Sequence, residues 1–170
     1  MIHLFARELD METGPITIAA TDQGIVRAAY SDIASWKQSL RYEKYEVLEE
    51  SHPYLTQAEQ ELQEYFRGTR RSFETPLPLK GTTFQKLVWN QLQLIPYGEL
   101  RSYKEIAAAM GVPKAVRAVG GANNKNPVPI LVPCHRVVGA NGSLVGYAGG
   151  LDIKERLIRL EAEHVSSVSM

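Results

Sequence analysis

Residues 102–124, SYKEIAAAMGVPKAVRAVGGANN, predict two short helices joined by a tight turn. Ser102 and Glu105 have the three-residue spacing of a capping box, which starts the first helix, and Gly111 ends it. Pro113 is a favoured first-turn residue for the second helix. Two short helices joined by a Gly-containing turn indicate a helix-turn-helix, whose second helix normally meets DNA.

The second predicted helix, AVRAVGG, carries few long side chains. Arg117 stands alone among alanines, valines and glycines, so this helix offers little that could read base edges in the major groove. A surface of small residues suits close approach to the DNA backbone or the minor groove, where shape is read more than sequence. We therefore expect DNA binding with little sequence specificity.

The segment upstream of this motif predicts another helix. Thr82 and Gln85 have a second capping-box spacing, and Pro96 ends the helix. Apolar residues recur at helical spacing and are expected to face the core: Phe84, Leu87, Val88, Leu92 and Ile95.

Downstream, Asn141-Gly142 lies between apolar runs, a strong hairpin signal that predicts a two-stranded wing. The stretch LDIKERLIRLE predicts a closing helix capped by Asp152, and residues 166–170 are expected to form a frayed tail. Together these elements predict a winged helix-turn-helix domain over residues 81–165.

Residues 1–80 predict a separate scaffold domain of small mixed α/β type. Alternating apolar residues from Ile16 to Ala20, a TDQG turn and the run IVRAAY indicate a hairpin. The stretch HPYLTQAEQELQEYFRG indicates an amphipathic helix ended by Gly68. Two prolines and a glycine in TPLPLKGT, residues 75–82, interrupt any regular pattern and place the domain boundary there. The fold class is thus α+β.

The net charge of zero is the sum of two unlike halves. Residues 1–80 hold 9 basic and 13 acidic side chains, whereas residues 81–170 hold 10 and 6. Within 81–136 only Glu99 and Glu105 oppose a basic set that indicates a polyanion-facing surface: Lys86, Arg101, Lys104, Lys114, Arg117, Lys125 and Arg136.

Composition excludes several classes of protein. The 170-residue chain is 44% hydrophobic, as a globular protein with a core requires, and has no basic start followed by an apolar stretch and no membrane-length apolar run. We expect a cytoplasmic protein without a membrane partner. A single cysteine excludes an internal disulfide and every zinc site that needs several cysteines.

That cysteine, Cys134, lies in PVPILVPCHRVVG, residues 127–139. A lone cysteine is most often a small buried hydrophobe. Here three prolines fix φ and remove backbone donors, so the preceding segment is a stiff, extended support that cannot be helical. His135 and Arg136 follow and could favour the thiolate, but on a regular strand His135 would point away from Cys134. The pair works only if the chain turns here or a water connects the two side chains.

The runs GTTFQKLVW, IPYGELRSYKEIA, KAVRAVGGANNKNPVPILVPCHRVVG and GYAGGLDIKERLIRLE resemble the O6-alkylguanine-DNA alkyltransferases, also called methylated-DNA-protein-cysteine methyltransferases. The resemblance spans about residues 81–161, and PCHRV with upstream RAVGGA and NPVP is highly specific. It implies a ribonuclease-H-like N-terminal domain and a winged helix-turn-helix carrying the reactive cysteine. The implied activity is single-turnover transfer of an alkyl group from O6 of guanine, and from O4 of thymine, to Cys134 after the nucleotide is flipped out.

The resemblance also implies a role for individual residues. Cys134 is the alkyl acceptor, His135 the base that takes its proton through a water, and Glu161 the carboxylate that orients the imidazole. Tyr103 protonates the departing guanine, and Asn126 braces the turn around the cysteine. The implied DNA contacts are Arg117, which fills the space of the flipped base, with Tyr103, Lys104, Lys114 and Arg136; the implied alkylguanine pocket is Pro129, Val137, Tyr147, Ala148 and Gly149.

The expected partner is double-stranded DNA containing alkylated guanine or thymine, bound through its minor groove by a monomer. We expect no cofactor and no metal. Some members of the family have serine where Ala148 stands, so a hydroxyl contact is absent there. Three other classes stay open on sequence alone: a winged-helix regulator without chemistry, an alkyltransferase-like protein that recognises lesions without accepting the alkyl group, and a thiol hydrolase.

Overall fold

The computed structural model describes residues 2–40, 43–147 and 149–168, with side chains through residue 165. The chain divides into two compact units, Met1–Leu79 and Lys80–Met170. Within the described ranges, no helix is both long and apolar enough to cross a membrane.

The first unit is built on a four-stranded sheet. Its strands are β1 (Ile2–Met11), β2 (Gly14–Thr21), β3 (Gly24–Ala29) and β4 (Tyr45–Leu48), in the order β3-β2-β1-β4. All neighbours are antiparallel except β1 and β4, which run parallel. The β2–β3 pair is the hairpin that the sequence predicts.

Two helices pack on this sheet. Helix α1 (Ile33–Ser39) is capped by the Asp32 side chain and packs Trp36 in a cluster with Leu4, Ala6 and Ala19. Helix α2 (Pro53–Phe66) is the predicted amphipathic helix, and its buried face contacts the first three strands. Because strand side chains alternate between faces, Ile16 and Ile18 point away from the α1 cluster that holds Ala19.

The segment after α2 returns beside β3. Ile25 N–H donates to the Pro76 carbonyl at 2.9 Å, and a Cβ at Gly24 would lie 2.2 Å from that oxygen. The buried Glu61 carboxylate of α2 accepts from the Thr75 hydroxyl at 2.6 Å and from the backbone N–H groups of Glu74 and Thr75. This carboxylate therefore ties the end of the unit to its helix.

Among its described residues, the second unit contains four α-helices and a short parallel strand pair. The helices are α3 (Thr83–Gln93), α4 (Tyr103–Ala109), α5 (Val116–Asn124) and α6 (Leu151–Val168), and the strands are β5 (Arg101–Ser102) and β6 (Val137–Val138). Both predicted capping boxes are present, at Thr82 with Gln85 and at Ser102 with Glu105. Helices α4 and α5 form the predicted helix-turn-helix.

The core of this unit differs from the predicted apolar face of α3. Leu87 is 52% exposed, whereas Trp89 is buried and donates its indole N–H to the Ala122 carbonyl at 2.9 Å. Trp89 sits one position beyond Val88 on the same side of the helix, and its large ring with a satisfied N–H fills the space against α5. The expected inward position of Leu87 is therefore wrong.

The prediction of a two-stranded wing is also wrong. Residues 139–143 form a tight turn, in which Gly142 N–H donates to the Gly139 carbonyl and Gly139 N–H to the Ser143 carbonyl. Across 139–147, all within the described ranges, no strand follows this turn, and β6 pairs instead with β5. The Asn141-Gly142 signal thus marks the turn correctly but not a hairpin.

The closing helix is longer than predicted. It begins at Leu151, so Asp152 lies in its first turn instead of capping it, and it continues to Val168 through part of the expected tail. Leu157 is its fully buried apolar residue, while Ile153 and Leu160 are half-buried.

Candidate active site

The segment before Cys134 is a strained turn held by an asparagine. Val132 N–H donates to the Val128 carbonyl at 3.0 Å, and Ile130 adopts a φ of 74°, a left-handed conformation that is rare for a β-branched residue. The Asn126 side chain spans the turn, donating to the Val132 carbonyl at 2.9 Å and accepting from Val128 N–H at 3.0 Å. Such strain persists only where surrounding contacts fix it, and Asn126 supplies two of them.

Cys134 opens a single 3-10 turn, Cys134–Arg136, immediately after this support. Its N–H donates to the Val132 carbonyl at 2.8 Å, and the residue is 4% exposed. Because the chain turns here, Cys134 and His135 are not placed on opposite faces of a strand. The geometric objection to the pair that holds for a regular strand does not apply.

The Cys134 thiol is protonated in this resting state. Burial raises the pKa of Cys134 to about 11, and a hydrogen bond from Asn126 and the charge of Lys154 offset only part of that effect. At neutral pH a thiol with such a pKa is almost entirely uncharged. The site must therefore supply an acceptor for the thiol proton.

His135 and Glu161 form a buried pair beside this thiol. His135 Nε2 lies 2.5 Å from Glu161 Oε2, and the two residues are 0% and 2% exposed. Glu161 Oε1 also accepts from Gly98 N–H at 3.1 Å, which joins α6 to the turn after α3. Gly98 has φ 82°, and a Cβ there would lie 2.3 Å from Val165 Cγ2, so only glycine fits this close approach.

Glu161 is the ionised partner of the pair. Burial alone would raise the pKa of Glu161, but hydrogen bonds from His135 and Arg136, and the charges these side chains carry when protonated, outweigh burial and hold that pKa well below its ordinary value. Burial lowers the pKa of His135, and the neighbouring Arg136 and Lys154 lower it further against the pull of Glu161. With the imidazole neutral, Nε2 donates to the carboxylate and Nδ1 is the nitrogen that can accept a proton.

Arg136 is buried and turns toward Glu161 instead of the protein surface. It is 6% exposed, donates to Glu161 through Nε at 2.8 Å and Nη2 at 3.1 Å, and donates to the Ile95 carbonyl through Nη1 at 2.7 Å. Its guanidinium also lies 5.6 Å from the centre of the Tyr97 ring. The expectation that Arg136 contacts DNA is wrong, because the Arg136 guanidinium pairs with the buried carboxylate of Glu161 and is not exposed.

Tyr103 lies at the start of α4 and is half-buried. Its hydroxyl donates to the Val145 carbonyl at 3.2 Å. Burial first, and then the negative charge that Cys134 carries once it is ionised, raise the pKa of Tyr103, so the phenol keeps its proton. Tyr103 and Cys134, which are far apart in sequence, thus act on each other electrostatically in one site.

Lys154 is a site residue that sequence analysis missed. It is fully buried, donates to the carbonyls of Val145 at 2.9 Å and Gly146 at 3.4 Å, and lies 5.9 Å from the centre of the Tyr103 ring. Burial lowers the pKa of Lys154, and Cys134 opposes that effect. Its place three residues before Leu157 and seven before Glu161, on one helical face, is the signal that could have revealed it.

The remaining predicted residues fall into two groups. Lys104, Lys114 and Arg117 are exposed on the helix-turn-helix, where they are accessible to a polyanion. Pro129 and Val137 are buried on either side of the cysteine turn, and Tyr147 and Gly149 are half-buried in the loop before α6. Ala148 lies outside the described residues.

Fold and site together define a two-domain protein that carries a buried thiol, a His–Glu pair and a basic helix-turn-helix in its second domain. Over the described part of the chain, no three His, Cys, Asp or Glu side chains lie together as a metal site requires.

Comparison with known proteins defines the family. Residues 83–163 match the family model of the 6-O-methylguanine DNA methyltransferase DNA binding domain, and residues 5–79 match the ribonuclease-like domain of the same family. The methylated-DNA-protein-cysteine methyltransferase of Methanosarcina acetivorans is 49% identical over 148 residues, covering 87% of this chain and 92% of that protein. The constitutive enzyme of that name from Bacillus subtilis is 49% identical over 151 residues, covering 87% and 89%.

A solved structure agrees. The crystal structure of Mycobacterium tuberculosis OGT in complex with DNA superimposes with a TM-score of 0.83 at 39% identity, covering 96% of this chain and 94% of that one. The chain belongs to the 6-O-methylguanine DNA methyltransferase family. The resemblance seen in the sequence is confirmed, as is the predicted pairing of a ribonuclease-like domain with a DNA-binding domain.

Proposed function

We propose that this protein repairs DNA by moving an alkyl group from O6 of guanine, or O4 of thymine, to Sγ of Cys134. The carbon–oxygen bond of the lesion breaks and a carbon–sulfur bond forms, which leaves an unmodified base and an S-alkyl cysteine. The thioether has no ready leaving path, so each molecule reacts once and needs no cofactor. The curated relatives named as methylated-DNA-protein-cysteine methyltransferases support this activity.

The observation that carries the proposal is the cysteine turn itself. Cys134, the only cysteine of the chain, opens a turn in which the next residue, His135, pairs its imidazole with the buried carboxylate of Glu161. This is the arrangement of an activated nucleophile, in which a base takes the proton and a third group orients the base. A DNA-binding regulator without chemistry has no use for it.

The proton route follows from the same groups. The thiol proton passes through a water to His135, and Glu161 stabilises the imidazolium that results. The departing base gains a proton from Tyr103, whose raised pKa keeps the phenol protonated until the bond breaks. Asn126 keeps the sulfur in place through the turn it spans.

DNA binding is assigned to the helix-turn-helix. Residues 81–165 hold the binding and chemical groups, and residues 1–80 act as a scaffold domain. Lys104 and Lys114 contact phosphates, and Arg117 fills the gap left when the damaged nucleotide is flipped out. The small residues of α5 allow a close approach through the minor groove, where sequence is read poorly. The lesion base enters a pocket bounded by Pro129, Val137, Tyr147, Ala148 and Gly149.

We further assign the protein to a reducing, cytoplasmic compartment and to the monomeric state. A free thiol persists where glutathione and thioredoxin keep cysteines reduced. Every residue to which the proposed chemistry gives a role belongs to one chain.

The test is the intact mass of the protein after incubation with duplex DNA containing one O6-methylguanine. We expect a gain of one methyl group for hydrogen, mapped to Cys134, limited to one per molecule and absent in Cys134→Ser. A matched duplex with unmodified guanine gives no gain. Tight lesion binding with unchanged mass would leave a recognition protein, and repeated release of product would indicate a hydrolase.

A further inference from the structure

Arg136 contacts Glu161, the carboxylate at the far end of the proposed proton relay. Its side chain approaches Glu161 side-on, with Nε on Oε1 at 2.8 Å and Nη2 on Oε2 at 3.1 Å. Two-point contact of this kind fixes both the position and the plane of a carboxylate. The third nitrogen, Nη1, donates to the Ile95 carbonyl at 2.7 Å, and this hydrogen bond fixes the position of the guanidinium.

Arg136 and His135 share one oxygen. Glu161 Oε2 lies 2.5 Å from His135 Nε2 and 3.1 Å from Arg136 Nη2, while Oε1 holds the backbone N–H of Gly98. A buried carboxylate that faced only an imidazole would draw a proton onto it, because an opposite charge at this distance favours the charged form. A protonated imidazole could not accept the thiol proton.

We propose that Arg136 is a positioning residue that neutralises Glu161, so that the carboxylate orients His135 while the imidazole stays uncharged and ready to accept the thiol proton. This rests on the proposed transfer to Cys134. The other charged group that bears on the imidazole is Lys154 of α6. Lys154 is a second cation and acts in the same direction, so removing the Arg136 charge leaves one cation opposite one carboxylate.

Without the Arg136 charge, Glu161 attracts a proton to His135 more strongly, so the imidazole becomes protonated at a higher pH. The alkyl-transfer rate requires neutral His135, so its fall toward acid pH begins earlier. A merely structural salt bridge, in contrast, would lower stability or the rate at every pH without moving the midpoint of this fall.

The experiment measures the single-turnover rate of methyl transfer from an O6-methylguanine duplex between about pH 5 and pH 9. In Arg136→Gln we expect the midpoint of the acid limb to move up by about one pH unit. Arg136→Lys keeps the charge and should return the midpoint close to that of wild type. In the double variant Arg136→Gln/Glu161→Gln the carboxylate that attracts the proton is gone as well, so the midpoint should move back down. The transfer rate of this variant should be lower at all pH values.

A second readout does not depend on alkyl transfer. The ¹⁵N imidazole signals of His135, assigned against His135→Gln, report its charge in DNA-free protein. In wild type they should show a neutral ring protonated on Nε2 across neutral pH, and in Arg136→Gln protonation should begin at higher pH. If Arg136→Gln does not fold, the wild-type titration still decides, because an imidazolium at neutral pH would overturn the proposal.

Superimposable acid limbs in wild type and Arg136→Gln would overturn the proposal, as would an imidazolium in wild type at neutral pH. A midpoint that Arg136→Lys fails to restore would overturn it too. Failure of wild-type protein to accept a methyl group is a different result, because it removes the proposed function and leaves the imidazole titration to judge Arg136.

Discussion

Each unit of the molecule buries a glutamate on a helix, and the two carboxylates face different donors. Glu61 of α2 accepts from the Thr75 hydroxyl and from backbone N–H groups of Glu74 and Thr75, with Arg70 at 3.7 Å. Glu161 of α6 accepts from the side chains of His135 and Arg136. Both obey the rule that a buried charge is wrapped in hydrogen bonds.

The difference lies in what each donor can do with a proton. Backbone amides and a threonine hydroxyl do not exchange protons with a neighbouring reactive group near neutral pH, so Glu61 can only hold the end of its unit in place. An imidazole can, so Glu161 is coupled to the cysteine turn. The same physical solution therefore serves architecture in one unit and chemistry in the other.

Replacing each glutamate by glutamine tests this contrast most strongly. Glu161→Gln puts an amide against His135 and disturbs its tautomer, and we expect the methyl-transfer rate to fall by about 10²- to 10⁴-fold. Glu61→Gln should leave that rate within about twofold, while urea unfolding shows a loss of about 1–3 kcal/mol. The measurements are single-turnover transfer and equilibrium unfolding of both variants.

Because the two variants are matched, their comparison is a direct test of this contrast. Each variant has the same change in side chain at a residue of nearly equal burial, 3% for Glu61 and 2% for Glu161. Equal losses of rate in the two variants, with both still folded, would show that neither carboxylate has a special link to the chemistry.

The state of the thiol provides a second, somewhat smaller effect. Because burial raises the pKa of Cys134 to about 11, native protein without DNA should react with iodoacetamide at neutral pH about 10²-fold more slowly than the urea-unfolded chain. The check is the rate of carbamidomethyl mass gain in both states. In Glu61→Gln, Cys134 should be labelled faster than in wild type only in proportion to the fraction of molecules that are unfolded.

Equal labelling of native and unfolded wild-type protein would contradict the raised pKa of the buried thiol. Faster labelling of native protein would show a thiol pKa below the ordinary value, and the relay through His135 would then have less work to do.

Local signals were enough to predict several parts of this molecule. Capping-box spacings placed the starts of α3 and α4, because these patterns depend on neighbours within a few residues. The sequence left open whether the chain turns at Cys134, and the structure shows the turn. Strand β1 was not singled out, since its ten residues alternate imperfectly between buried and exposed positions. Its place in the sheet depends on partners elsewhere in the chain.

The errors within the site have one cause. Arg136 was expected to contact DNA and Lys154 was given no role, but both are buried. Cations are almost never fully buried unless they are paired, and their partners, Glu161 and the Val145 carbonyl, come from separate segments. Sequence spacing within α6 hints at Lys154, whereas nothing local to Arg136 reveals that it turns inward.

The smallest expected effect is the acid dependence of stability that Glu161 brings. Its pKa is lower in the folded protein than in the unfolded chain, despite burial, because His135 and Arg136 favour its charged form. Its contribution is therefore complete above the ordinary carboxyl value of 4.5 and is lost as the pH falls below it. Between about pH 5 and pH 3 we expect wild type to lose on the order of 1–3 kcal/mol more than Glu161→Gln, measured by urea unfolding at each pH. Parallel acid curves for the two proteins would mean that the carboxylate gains nothing from its partners on folding, and the coupling that separates Glu161 from Glu61 would then have no energetic basis.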